Sequence, residues 1–239
     1  RTVLHGVQTV VDEGLAFPIL IGRPEVIEKR IARLGLRMKR GVDYELTDIG
    51  DDPRFDEYWQ QYHALTERRG VTPDAAKNLL RSRPTIIAAL MVERGEADAM
   101  ITGIVGRFHK KLGYLRSVFD FEPGVTGTAA MTGVINDHGA WFFVDTHVQL
   151  DPTAEQIAEA TLMASYRLKL FGIEPKVALL SHSNFGSHQD ASALKMRRAF
   201  EIIRARQLIE CELAANAART MDPAQVEGLR AALEQMAAD

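Results

Sequence analysis

The chain has 239 residues, 46% of them apolar and 26% charged, with a formal net charge of −3. Those values suit a soluble globular protein with a sizeable core and give no electrostatic reason to expect nucleic acid. A single cysteine, Cys211, excludes an internal disulfide framework, and no apolar run approaches the ~20 residues of a membrane span, so the cytoplasm is the expected location.

In chain order, "VLHGVQTVVDEG" places Val3, Leu4, Val7, Val10 and Val11 at helical spacing, with Gly14 as the stop. The chain thus opens inside a helix at Arg1 with no strand before it, which reads as a cut rather than a natural start. "FPILIG" is expected as a buried strand, "RPEVIEKRIARLGL" as a helix with Pro24 near its start, and "DYELTDIG" as an alternating strand. "DPRFDEYWQQYHALTERRG" reads as a helix opened at Asp52 and Pro53 and closed at Gly70, and "TPDAAKNLL" repeats that opening with Thr72 and Pro73. An apolar helix, "PTIIAALMVERGEA", then leads to "DAMITGIVG", expected as a strand over 98–102 running into a glycine-bearing loop. "TAAMTGVIN" and "AWFFVDTHVQL", joined by "DHG", predict a β-hairpin. "DPTAEQIAEATLMASYRLKLFG" is the longest clear helix. It is followed by "KVALLS", expected as a strand over 176–181, and by "ASALKMRRAFEII", expected as a helix.

Strands separated by helices argue for an α/β protein with a mainly parallel sheet. Sheets of that kind bind ligands beyond the carboxyl ends of their strands, so three loops become candidates. "SHSNFGS" (181–187) carries three serines, an asparagine and a glycine without an acid; "TGIVGRFHKK" (102–111) carries Arg107, Lys110 and Lys111; "VDTHV" carries Asp145, Thr146 and His147. Backbone amides and hydroxyls of a Gly/Ser loop at a helix N-terminus can seat a phosphate or carboxylate. The same loop can equally be ordinary helix capping, since Ser187, Asp190 and Ser192 are residues that N-caps favour.

Other chemistries lack their residues. The histidine pairs His182/His188 and His138/His147 have no acid or cysteine at metal-ligand spacing, and no G-x-G-x-x-G, P-loop or G-x-S-x-G motif occurs. Cys211 reads as a small apolar filler in a helix, and Met91, Met100, Met131 and Met163 as core. The arginines of "ERRG" (67–70) read as a solvated helix end, with an anionic ligand as the other use.

"EPKVALLSHSNFGS", preceded by "LDPTAEQIAEATLMASYRLKLFG", resembles the phosphate acetyltransferases (phosphotransacetylases) at the strand that ends in a Ser-x-Ser-x-x-Gly-Ser loop. "RRGVTPDAA" and "ALMVERGEADAMITGIVGR" are more similar still to the phosphotransacetylase-like C-terminal domain of large bacterial NADP-dependent malic enzymes. The resemblance covers residues 1–207, and 208–239 reads as an alanine-rich helical tail outside it. It implies a three-layer α/β/α fold of two subdomains like that of the isocitrate and isopropylmalate dehydrogenases, with a coenzyme A site in the cleft between them. It also implies an acetyl-CoA-binding, regulatory and oligomer-forming role. Malate oxidation, with its NADP and divalent metal, then belongs to malic enzyme domains outside this sequence, and neither nucleic acid nor membrane is an expected partner.

The residues implied for acetyl-CoA or phosphate are Thr102, Gly103, Arg107, Lys110, Asp145, Thr146, Ser181, Ser183, Asn184, Gly186 and Ser187. The transferase pattern is departed from at Gly113, roughly where an arginine belongs, at Thr146, where a cysteine is frequent, and at Thr66, where a basic residue precedes the "RRG" stretch. The family's final Ser-Arg pair and aspartate are not recognisable. The expectation is therefore a binding domain without transfer chemistry, no catalytic residue and no metal. An active phosphate acetyltransferase and a ligand-independent assembly module are the alternatives.

Overall fold

The computed structural model describes residues 1–231 except Pro123, Phe185, Gly186, Pro223 and Leu229, with Ala218 described by its backbone alone. It divides into two units, Arg1–Asp120 and Phe121–Asp239.

The first unit runs α1 (Thr2–Asp12), β1 (Ile19–Ile21), α2 (Pro24–Arg33), β2 (Glu45–Thr47), α3 (Phe55–Thr66), a 3₁₀ turn (Glu67–Arg69), α4 (Pro73–Ser82), α5 (Pro84–Glu93) and α6 (Phe108–Leu115). Prolines open α2, α4 and α5, where their missing N–H costs no helical bond. The Thr72 hydroxyl accepts the Ala75 amide at 3.3 Å to cap α4, and Gly70 ends the preceding turn at φ 84°, a conformation only glycine takes without strain. Strands β1 and β2 pair in parallel, Ile19 with Glu45 and Ile21 with Thr47. Helix α5 is apolar around most of its circumference and is correspondingly buried: Ile86, Ile87, Ala89, Leu90 and Met91 pack against Tyr58 and Tyr62 of α3 and Ala76 and Leu80 of α4. A smaller cluster joins Leu4, Ile31, Met38, Tyr44 and Leu46.

One polar network sits beside this core. Arg54, at the head of α3, donates to both oxygens of Asp52 (3.1 and 3.0 Å), to Glu96 Oε2 (3.1 Å) and to Thr47 Oγ1 (3.3 Å). Tyr58 donates its hydroxyl to the same Glu96 oxygen at 2.5 Å, and Arg94 bridges Glu96 and Glu57. Burial pushes the Asp52 and Glu96 carboxyls up, but hydrogen bonds and the neighbouring guanidinium charges outweigh it, so both lie below their ordinary range.

The second unit holds the antiparallel hairpin β3 (Met131–Asn136) and β4 (Gly139–Val144), then α7 (Ala154–Leu170) and α8 (Ala191–Thr220). Thr153 and Gln156 form a capping box on α7, and Asp190 caps α8 by accepting the Ser192 and Ala193 amides. The two helices pack together, with Ala158, Ala160 and Leu168 of α7 and Ala193 and Ala199 of α8 buried.

The α/β class and the expected hairpin are present, with the parallel β1–β2 pair. Three sequence expectations need correction. The runs at 98–102 and 176–181 belong to no ladder among the described residues, because an apolar run becomes a strand only where a neighbour supplies its backbone partners. Residues 108–111 of the loop expected over 102–111 are instead the start of α6, since Phe108, Leu112 and Leu115 recur at helical spacing and Leu115 packs on the core. Cys211 is exposed on α8, not a buried filler. Helix α8 itself continues through residues 207 and 208 without a break.

Leu90→Ala should destabilise the chain by about 2–5 kcal/mol in urea unfolding, the range for deleting a fully enclosed leucine side chain. A second outcome concerns pH. Carboxyls held low in the folded chain stabilise it above about pH 4, where the unfolded groups are also ionised, and that contribution fades as pH falls through the folded values. Arg54→Met should therefore cost more stability at neutral pH than in acid, so the gap between variant and parent closes on acidification.

Candidate functional site

The residues singled out from the sequence fall into one group in the first unit and two in the second. In the first unit, the segment after α5 turns at Gly103 and enters α6. Arg107 is the N-cap residue of α6, and its backbone carbonyl accepts the Lys111 amide at 3.3 Å. One helical turn inside, Lys111 reaches back and donates from Nζ to Thr102 Oγ1 at 2.8 Å, while Thr102 Oγ1 shares a 3.1 Å hydrogen bond with Thr85 Oγ1 in the first turn of α5. An ammonium carries three donors, and among the described residues Thr102 takes one, leaving two for another acceptor.

The helix bearing Lys111 is fixed from two further points. Arg83 donates Nε to the Tyr114 hydroxyl at 2.8 Å, and Arg69 donates to the Arg116 carbonyl at 3.3 Å. Arg69 belongs to "ERRG", so that segment works here as a clamp on α6. Gly103 and Val105 close a three-residue turn, the Val105 amide donating to the Gly103 carbonyl at 2.7 Å, which forces Ile104 between them to φ 63°. Gly103, Arg107 and Lys110 are exposed around this group, but only Thr102 among the predicted residues is inside it. Lys110 lies on the exposed side of α6, and the lysine that turns inward is Lys111. Sequence reasoning missed Thr85 and Arg83 altogether. Once 108–115 is seen as a helix, the i to i+4 spacing from Arg107 marks Lys111, whereas nothing local marks Thr85, which is brought in by the fold.

In the second unit, Asp145 follows β4 and is engaged by four backbone amides. Its Oδ1 accepts the amides of Ala130 (3.0 Å), His147 (3.0 Å) and Val148 (3.2 Å), and its Oδ2 accepts that of Gln149 (2.7 Å). Burial raises its carboxyl, but these four donors hold it below its ordinary range. Asp145 is thus a staple for the turn that follows β4. Thr146 shares a 2.7 Å hydrogen bond with Thr132 across the hairpin.

The serine loop is largely exposed and bonded to itself. Ser183 donates its amide to Ser181 Oγ at 3.2 Å, His188 donates its amide to Ser183 Oγ at 3.2 Å, and Ser187 donates its amide to the Asn184 carbonyl at 3.0 Å. Ser181, Ser183, Asn184 and Ser187 are therefore brought together, and Gly186 lies outside the described residues. At the loop's far end, His182 contacts Asp190 and Ser192 at the head of α8. No group of three histidine, cysteine, aspartate or glutamate residues is placed to hold a metal ion among the described residues. Nor is any helix among them long and apolar enough to cross a membrane.

The family model described as "Phosphate acetyl/butaryl transferase" matches residues 1–237. The NADP-dependent malic enzyme of Escherichia coli strain K12 is 50% identical over 228 residues, which is 95% of this chain and 30% of that protein. The phosphate acetyltransferase of Nitratidesulfovibrio vulgaris is 31% identical over 231 residues, 94% of this chain and 32% of that protein. The chain thus spans about a third of the length of either relative. Among solved structures, a phosphotransacetylase from Streptococcus pyogenes superposes with a TM-score of 0.74 at 26% identity, over 85% of this chain and 61% of that one. With a family match that runs through both units and past residue 208, the chain belongs to the phosphate acetyl/butaryl transferase family.

Proposed function

We propose that this chain is a regulatory domain of an NADP-dependent malic enzyme, one that binds acetyl-CoA, helps hold subunits together and carries no transferase activity of its own. The observation that carries this reading is the Lys111–Thr102–Thr85 group, which offers an anionic ligand two ammonium donors and one remaining threonine hydroxyl, with no base hydrogen-bonded to them among the described residues. The greater likeness to malic enzymes (50% identical) than to a phosphate acetyltransferase (31%) supports the same reading. So do the departures from transferase pattern. Thr66 is buried with its hydroxyl donated to the Tyr62 carbonyl at 2.7 Å, Gly113 lies on an exposed side of α6, and Thr146 is tied to Thr132. Transfer from acetyl-CoA to phosphate needs a base for the thiol and cations for the developing charge, and at the Lys111–Thr102–Thr85 group only a cation is supported.

On this reading, Lys111 and Thr102 bind phosphate or thioester oxygens, with Arg107 and Lys110 adding charge around them. Ser181, Ser183, Asn184, Gly186 and Ser187 form a second set of donors. The three-layer sheet of the family's fold belongs to the proposal as well, as does the oxidative decarboxylation of malate by other domains with NADP and a divalent metal. Acetyl-CoA would regulate by binding one arrangement of subunits more tightly than another.

A second reading, an assembly module indifferent to ligand, has one observation in its favour. Leu208, Ile209 and Leu213, in the latter half of α8, are 65%, 58% and 63% exposed.

Calorimetric titration of acetyl-CoA into the chain should give saturable heat, and Lys111→Met should weaken binding about ten- to a hundredfold, the equivalent of roughly 1.5–3 kcal/mol for one charge-assisted hydrogen bond. Absence of heat and of any thermal shift at millimolar ligand would remove the proposal. Formation of acetyl phosphate from acetyl-CoA and phosphate should stay at background. Light scattering should show a mass that responds to acetyl-CoA; an oligomer that ignores it favours the assembly module.

A further inference from the structure

Outside the residues used above, one cluster of side chains has the order of groups that activates a nucleophile. His182, inside the serine loop, and Ser192, in the first turn of α8, are ten positions apart, yet His182 Nδ1 lies 3.1 Å from Ser192 Oγ. The other ring nitrogen, Nε2, lies 2.8 Å from Asp190 Oδ2. Asp190 is itself fixed, because its Oδ1 accepts the amides of Ser192 (3.0 Å) and Ala193 (3.1 Å) in the first turn of α8. The Ala193 amide, with His182 beside it, holds the Asp190 carboxyl below its ordinary range. A carboxylate at Nε2 favours the tautomer that carries the ring proton there, and that tautomer presents the Nδ1 lone pair to the serine hydroxyl.

We infer that Ser192 is an acyl acceptor, with His182 as its base and Asp190 as the positioning residue, for acyl groups carried on good leaving groups, thioesters above all. In the step, Ser192 Oγ attacks the acyl carbonyl as His182 Nδ1 takes the hydroxyl proton. The bond from carbonyl carbon to sulfur breaks, and the imidazolium returns its proton to the departing thiolate. The products are O-acyl-Ser192 and a free thiol, and no electrons are gained or lost. His182 and Asp190 side chains are 59% and 40% exposed, so a substrate reaches the serine without any opening of the fold. The choice of thioester as donor rests on the acetyl-CoA reading, whereas the nucleophile rests on the three side chains alone.

The test therefore uses two donors. The whole chain is incubated with p-nitrophenyl acetate, which needs no coenzyme A subsite, and separately with acetyl-CoA, and the acetylated peptide is located by mass spectrometry. The expected result is label on Ser192 from both donors. Ser192→Ala should lose it, Ser192→Thr should retain it, and His182→Gln should slow it about a hundredfold, the scale of a general base. Far-UV circular dichroism establishes that each variant keeps its helices. Label from the ester alone upholds Ser192 as the acceptor and counts against the coenzyme A reading. No label at Ser192 from the ester, or label whose rate His182→Gln leaves unchanged, overturns the inference.

Discussion

Arg54 is the residue around which the first unit is tied. Its guanidinium joins the end of β2, the head of α3 and the turn after α5 through Thr47, Asp52 and Glu96, and Tyr58 and Arg94 complete the set. A half-buried cation is tolerable only when several acceptors surround it, and here each acceptor comes from a different stretch of chain. Removing one partner would leave charges of the other sign exposed to each other in a poorly hydrated place. The network therefore fixes where the C-terminal end of α5 lies. The opposite end of that helix carries Thr85, about 15 Å away along a ten-residue axis. The position of the Lys111–Thr102–Thr85 group thus depends on a rod anchored at its far end by charge and along its length by apolar packing.

The second unit relies on carboxylates engaged by backbone amides. Asp145 gathers four amides and so defines the turn after β4; Asp190 gathers two and defines the start of α8. Both are acids in loops with ligand-like composition, and both are already engaged by the chain itself. What distinguishes them is the remaining oxygen. Both oxygens of Asp145 face amides, whereas Asp190 keeps Oδ2 for an imidazole.

Much of this was legible in the sequence. Proline-opened helices, glycine stops and the capping residues Thr72 and Thr153 act locally, so α2, α4, α5 and α7 were readable to within a few residues. So was the hairpin, whose "DHG" turn and flanking apolar runs are adjacent in the chain. The segments at 98–102 and 176–181 were misread because strand formation is a property of pairs, and composition describes one member only. In the site, the cations after Gly103 were noticed but Lys110 was preferred to Lys111, since choosing between neighbours requires knowing that the segment is helical. Thr85 and the His182–Asp190–Ser192 contact depend on chain reversals that no local pattern encodes. The serine loop was singled out for its donors, and several of those donors turn out to serve the loop's own turns.

Ile104 has a consequence of its own. A β-branched residue held at positive φ by the bond from Val105 to Gly103 is costly, on the order of 1–3 kcal/mol. That energy is stored within two residues of Thr102, in backbone that ends where α6 begins. The bend that sets Thr102 beside Lys111 is thus one the chain would not adopt by itself and keeps only because α5 on one side and α6 on the other hold its ends.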